Sequence, residues 1–463
     1  MTDVPRVAVV GGGLAGLAAA SALAEQGVKV ELFETRRQLG GRAGSFVDSV
    51  TGEQVDNCQH VSMGCCTNLA QFAHRVGIYH HFRRFPTLHF FGPDGSRSDF
   101  RGTRGLPAPL HLADALMRLR FLTWPERLSI GLAMMRLARA TPQEQQMTMN
   151  HWLEQVGQTS PACQNFWSVV LVSALSETLP RIAVAHARKV FVDGFMAHPA
   201  AYEMYVPDIP LGQLYGDKML PWFEQQGIKL HLGARVETFI YEKGRVTGLS
   251  LVSGQQHPFE AVVCAVPWKR VGELCTDEMQ KCLPQLARLN ELESATITSV
   301  HLWFDREITH LPHAVLVGRL SQWLFRRSAA DDHYYQVVIS AAHQLAQLDR
   351  ETLVAAVCGE LKQVWPDAQA AQLKHWRVVK ETSAVFSPLP GVDQLRPPQT
   401  TSIPNFFLAG DWTRTGWPAT MEGAARSGHL AAQAVLHLFG KQVRCLADNL
   451  PKGWIMNCWT GEK

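Results

Sequence analysis

The strongest constraint on this 463-residue chain is the stretch from Arg6 to Arg42, RVAVVGGGLAGLAAASALAEQGVKVELFETRRQLGGR. An apolar run, Val7 to Val10, leads into Gly11-Gly12-Gly13-Leu14-Ala15-Gly16, then an alanine-rich helical segment, then a second apolar run ending at Glu34. This order is a βαβ unit that opens a dinucleotide-binding fold. Gly11 permits the tight turn, Gly13 lets backbone approach a pyrophosphate, and Gly16 lets the helix pack closely on the strand. The helix start at Leu14 and Ala15 offers unpaired N–H groups and a positive dipole end to phosphate. Glu34, at the end of the second strand, is placed to accept hydrogen bonds from ribose hydroxyls.

The length predicts two domains. A hydrophobic content of 46% with 18% charged residues describes a folded globular chain. The net charge of +3 is too small to call for a nucleic-acid partner. The first strand begins almost at the N-terminus, which predicts no signal peptide and a cytoplasmic protein, and no run of eighteen apolar residues is present to span a membrane. The ten cysteines form no CxxC pair and read as reduced thiols. Cys58, His60, Cys65 and Cys66 match no standard zinc spacing, so buried thiols, not a metal site, are expected there.

Helix is expected at 68–78 and short strands at 85–101 around Gly92-Pro-Asp-Gly95. From Leu110 to Ala140 the chain is helical and apolar with interspersed arginines and a break at Pro125, and helix continues to about 198. Residues 214–226 read as helix, 228–251 as strands around Glu242-Lys-Gly244, 261–265 and 295–305 as strands, and 350–364 as helix. Near the C-terminus a strand runs into Gly410-Asp411, a Gly/Pro-bearing loop follows, and a helix begins at Met421. The acid at the strand end can bind hydroxyls near a phosphate, and the helix start at Met421, Glu422 and Gly423 can direct its dipole at the pyrimidine edge of a flavin.

The two signatures together, Glu34-TRRQLGGRAGS and LAGDWTRTGWPATMEGAARSG, resemble the flavin amine oxidase and phytoene desaturase superfamily. Asp56-Asn-Cys-Gln-His60, Met63-Gly-Cys and TGWPATMEGA resemble, more narrowly, the squalene-associated FAD-dependent desaturases, which are hydroxysqualene dehydroxylases of hopanoid pathways. The resemblance implies an α/β fold: a Rossmann-like FAD-binding domain of the glutathione-reductase type (1–75, 205–275 and 400–440) interleaved with an α+β substrate domain (76–204 and 276–399), then a tail at 441–463. It implies Gly11, Gly13 and Gly16 around the FAD pyrophosphate, Glu34 on the adenosine ribose, Arg42 facing the phosphates, and Val236 at the adenine. Gly410, Asp411, Met421 and Glu422 would hold the ribityl and flavin end.

Departures from the superfamily narrow the chemistry. The loop from Trp412 to Thr420 has no cysteine for a covalent flavin bond, so FAD is expected to be non-covalent. SATITSVHLWFD lacks the lysine that amine oxidases carry near the flavin, which disfavours amine oxidation. With one GxGxxG, reducing equivalents are expected from an external reductant. The expected reaction is reduction of hydroxysqualene to squalene; a carotenoid-type desaturase, an amine oxidase and a flavin-binding lipid carrier are its rivals. The substrate is an isoprenoid lipid in either of the first two cases. Dehydroxylation needs an acid for the departing hydroxyl and an apolar tunnel. Asp56 and His60 are candidates for the acid; the alternatives are a turn cap and a structural hydrogen-bonder. Trp417 either lines the pocket or is an ordinary buried indole. Leu110 to Ala140 is either core helix with solvated arginines or an amphipathic surface resting on the inner face of the cytoplasmic membrane, and GWIMNCW at 453–459 either adds an anchor or packs on the body.

Overall fold

A computed structural model describes residues 4–328 and 331–460; residues 1–3, 329–330 and 461–463, including the outer ends of the first expected segment and of the tail, lie outside the described residues. The glycine-rich stretch sits at the centre of a parallel sheet. Strand Arg6–Val10 pairs with Lys29–Glu34 on one side and Ala261–Cys264 on the other, and Lys229–Leu232 and Phe406–Leu408 form the edges. Val7 and Val9 face a core shared with helix Leu14–Glu25, whereas Ala8 and Val10 face a second core with Phe239, Val271 and Leu408. A parallel sheet needs cover on both faces, and its continuous apolar runs reflect that.

Helix Met421–Leu438 packs against Leu14–Glu25. A side chain at Gly428 would collide with the Ala15 carbonyl and the Ala18 methyl, so the two helices meet backbone to backbone. The C-terminal signature is thereby seated beside the N-terminal one.

A seven-stranded sheet is ordered Leu373–Phe386, Ser294–Phe304, Asp331–Ser340, Trp323–Ser328, His313–Leu316, Leu88–Phe91, Arg97–Phe100. The predicted strand at 295–305 is Ser294–Phe304, buried along nearly its whole length between two antiparallel partners. The expected hairpin at 228–251 forms as Val236–Glu242 and Arg245–Leu251, with Lys243 and Gly244 at φ 50° and 82° in its turn, the geometry that twisted hairpins favour.

Three readings need correction. The break in the 110–140 run is not at Pro125: it spans 118–123, between helices Ala113–Met117 and Trp124–Ala138. Thr123 and Glu126 form a capping box, and Pro125 sits in the first turn, where its missing N–H costs nothing. The helix at 214–226 is two short helices, Leu211–Tyr215 and Leu220–Gln225. Strands His313–Leu316, Trp323–Ser328, Asp331–Ser340 and Leu373–Phe386 were not anticipated.

Candidate functional site

A continuous cavity of about 1300 Å³ starts at the glycine loop and runs between the sheets into the helical region. That exceeds the roughly 300–1,000 Å³ of an ordinary small-molecule pocket, as a cavity for a dinucleotide and a second long ligand must. At its nucleotide end the wall is Gly11, Gly13, Leu14, Ala15, Glu34 and Val236. Gly11 has φ +111°, and a Cβ there would lie 2.6 Å from the Ala265 carbonyl oxygen. Gly13 is the N-cap residue of Leu14–Glu25; no side chain caps that helix and no acid lies in its first turn. A Cβ on Gly13 would have only Gly41 Cα, 4.0 Å away, within reach. This open, uncapped helix start fits a pyrophosphate. Gly16 is off the wall: a Cβ there would strike the Gly11 carbonyl, so its smallness serves the strand–helix contact. Glu34 accepts the Gly12 N–H (2.7 Å) through Oε2 and the Arg36 N–H (2.8 Å) through Oε1. It steadies the loop while lining the cavity.

The two ends of the chain meet next. Arg42 Nη2 donates to Asp411 Oδ1 at 2.6 Å, and Nη1 donates to the Ala384 carbonyl. Burial works to lower the Arg42 pKa, and Asp411, with help from Glu381, more than offsets it. The buried guanidinium of Arg396 organises the loop that follows, donating to the carbonyls of Thr413 (2.6 Å) and Trp417 (2.8 Å) while paired with Asp393. Gly410, Asp411, Met421 and Glu422 all lie on the cavity wall.

Glu422 has a task the motif does not reveal. Its buried carboxylate accepts the backbone N–H groups of Asn68 (3.1 Å) and Leu69 (2.9 Å) and the Asn68 amide (3.0 Å). These are orphan donors at the start of helix Thr67–Arg75. Burial raises the Glu422 pKa against these bonds. Its carboxylate is thus turned to the start of helix Thr67–Arg75.

Asp56 behaves similarly. It is not on the cavity wall. Its Oδ1 accepts from Ser45 Oγ (2.6 Å) and from the Leu211 N–H (2.8 Å), bracing helix Leu211–Tyr215. Burial pushes its pKa up to about 6. The geometry gives Asp56 the capping role, with its carboxyl turned to the start of helix Leu211–Tyr215. His60 does line the cavity. Its Nδ1 donates to the Cys58 carbonyl at 2.9 Å, which fixes the tautomer and leaves Nε2 as the titrating nitrogen. Burial pulls the His60 pKa below its ordinary value, and nearby Arg42 adds to the effect. Trp417 is buried, lines the cavity, and has an indole N–H without a hydrogen-bond partner among the described residues.

Beyond these residues the cavity becomes apolar: Phe90, Leu116, Met134, Phe166, Phe195 and Phe325 line it. It reaches the surface along helix Trp124–Ala138, where Leu128 and Leu132 both line the cavity and stand 60% and 63% exposed. Lys189 and Arg396 were not singled out from the sequence. For Lys189 a signal existed: a Lys189/Asp193 pair at i,i+4 in an otherwise apolar stretch. Among the described residues no group of three or more His, Cys, Asp or Glu stands in metal-holding geometry. Cys66, burial and the nearby Glu422 and Asp193 carboxylates push the Cys65 pKa well up, so this thiol stays protonated.

Residues 14–436 match the family of flavin containing amine oxidoreductases. The chain is 26% identical to the 15-cis-phytoene desaturase of Synechococcus elongatus, covering 93% of this chain and 96% of that protein. It is 28% identical to the hydroxysqualene dehydroxylase of Rhodopseudomonas palustris, covering 93% and 98%. The solved cyclohexylamine oxidase of Brevibacterium oxydans superposes with a TM-score of 0.69 at 17% identity, over 95% of this chain and all of that one, a likeness of fold. The open glycine cradle fits FAD, the cofactor of this family. The chain belongs to the flavin-containing amine oxidoreductases and is an FAD-dependent oxidoreductase.

Proposed function

We propose that this enzyme reduces hydroxysqualene to squalene. The observation that carries the reading is the apolar chamber that continues directly from the nucleotide end of the cavity and opens at an exposed apolar helix. Such a chamber suits a long isoprenoid chain and shields a cation-like transition state from water. Reduced FAD, held non-covalently, supplies hydride when bound, and an external reductant restores it. The chain's own residues do the rest. The glycine loop, Glu34 and Arg42 bind the cofactor, Asp411 and the helix start at Met421 orient it, and the chamber aligns the substrate. His60 gives a proton from Nε2 to the departing hydroxyl. Strand Ser294–Phe304 has no lysine, which weighs against an amine substrate. A phytoene-type desaturation, with hydride moving the other way, is the second reading, supported by the desaturase relatives at 26% identity.

The substrate partitions into lipid, and the cavity mouth suits a bilayer. Trp124, Leu128 and Leu132 form an exposed stripe at i, i+4 and i+8, with Trp454 and Leu110 also exposed. Arg118, Arg120, Arg136 and Arg139 are exposed on the same segment and suit anionic headgroups. The helix Trp454–Thr460 packs on the body: Met456 is fully buried in the helical core, and Arg139 Nε donates to the Trp459 carbonyl at 3.2 Å. Among the described residues no helix is long and apolar enough to cross a membrane. We therefore propose peripheral docking through this stripe.

The anaerobic, photoreduced protein is expected to be reoxidised by hydroxysqualene with one squalene formed per flavin; reduction of the oxidised protein by phytoene instead would overturn the assignment. With His60 as the acid, single-turnover rates are expected to rise as pH falls toward its lowered pKa and to level off below it, because the protonated form is the active one, and His60→Gln flattens this profile. A wild-type profile unaltered in His60→Gln would remove His60 from the step. Vesicles containing phosphatidylglycerol should sediment the wild-type protein and not the Leu128→Asp/Leu132→Asp variant, with the flavin spectrum of both unchanged. Equal sedimentation would rule out the stripe.

A further inference from the structure

Lys189 places a charge where a hydrocarbon tunnel has no need of one. It lies near the end of helix Val184–Phe191, just before a π-helical turn at Val192–Met196, and it lines the cavity. π-helical turns of this kind occur mostly as single bulges and often at functional sites. The ammonium Nζ is 3.1 Å from Asp193 Oδ2 and 4.7 Å from the centre of the Trp417 ring. Trp417 belongs to the loop joining Asp411 to helix Met421–Leu438, and Arg396 holds its carbonyl in place. Lys189 therefore stands where the cofactor end of the cavity gives way to the apolar chamber.

Two observations bear on what Lys189 faces. Its side chain is only 24% exposed and that of Asp193 18%, so the pair is partly desolvated, an arrangement that often stabilises a protein less than well-packed apolar side chains would. Beside it, the buried indole N–H of Trp417 has no hydrogen-bond partner among the described residues. Asp193 balances the charge of the ammonium, which carries three N–H donors that a ligand oxygen can accept from.

We propose that Lys189, seated on Trp417 and oriented by Asp193, recognises a single oxygen on an otherwise hydrocarbon substrate by donating a hydrogen bond to it. This rests on the proposed reading of the site and deepens it. The hydroxyl of hydroxysqualene meets a donor at the cofactor end, while the rest of the chain lies in the apolar chamber. A site that hydrogen-bonds a hydroxyl rejects the analogue lacking it far more strongly than an apolar pocket can. Lys189 thus separates substrate from product: squalene, with no oxygen, cannot accept from the ammonium and is released. Lys189 is a recognition residue, and Asp193 is its positioning residue.

The test is equilibrium binding to the oxidised, FAD-loaded protein, which cannot turn hydroxysqualene over, read by tryptophan fluorescence and the flavin spectrum. Wild-type protein is expected to prefer hydroxysqualene to squalene. Lys189→Met should weaken hydroxysqualene at least tenfold, leave squalene unchanged and abolish the preference, while Lys189→Arg keeps a donor and restores part of it. Parallel loss for both ligands, or a preference that survives in Lys189→Met, would overturn the proposal. The two readings fail separately. If the reduced wild-type protein reacts with hydroxysqualene while Lys189→Met keeps the preference, only the role of Lys189 falls. If the reduced protein does not react but the preference exists and depends on Lys189, the reaction assigned above falls and oxygen recognition stands.

Discussion

The ion pair between Arg42 and Asp411 holds the site together. The two residues are 369 positions apart, one just after the opening βαβ unit and the other just after the last strand of the same sheet. The Asp411 carboxylate is buried and the Arg42 side chain faces the cavity. An exposed pair of this kind would contribute at most about 1 kcal/mol. Removing one partner of a buried pair strands the other in a low dielectric, at a cost of about 3–5 kcal/mol. Asp411 is on the costly side of that division. The pair, the backbone-to-backbone meeting of Leu14–Glu25 with Met421–Leu438 at Gly428, and the Arg396 cage bring both flavin signatures onto one wall.

What could be read in advance was local. The strand–glycine–helix order at 6–34 and the helix starting at Met421 depend on residues within a turn or two of each other, and both formed as expected. Roles set by distant partners were not legible. Asp56 could be read in its own segment as a catalytic acid or a turn cap; what it caps, the Leu211 N–H 155 residues away, could not be read there. Glu422 could be read as part of the helix start at the flavin end, but not as the group that fills donors 353 and 354 residues earlier. Both satisfy unpaired N–H groups at the buried starts of other helices, a demand that arises only once the chain is folded. Strand Leu373–Phe386 escaped notice for a related reason. Its residues alternate irregularly between buried and exposed, and its place is set by pairing with Ser294–Phe304.

Along the cavity the chemistry changes in three stages. Backbone N–H groups, Glu34 and Arg42 suit a charged dinucleotide. His60, Lys189 and Trp417 add polar groups to the wall. Elsewhere the walls are aliphatic and aromatic as far as the exposed stripe on Trp124–Ala138. Each stage selects by what it can pair or exclude, and together they favour a substrate that is greasy along its length and polar at one point.

In the proposed reading, cofactor and hydrocarbon share one cavity. Titrating the oxidised holoprotein with squalene in detergent and recording the flavin absorbance tests it without turnover. A hydrocarbon entering the chamber should expel water from the flavin and sharpen its visible absorption band with saturable dose dependence. A flavin spectrum indifferent to saturating squalene, with binding confirmed by an independent measurement, would contradict it.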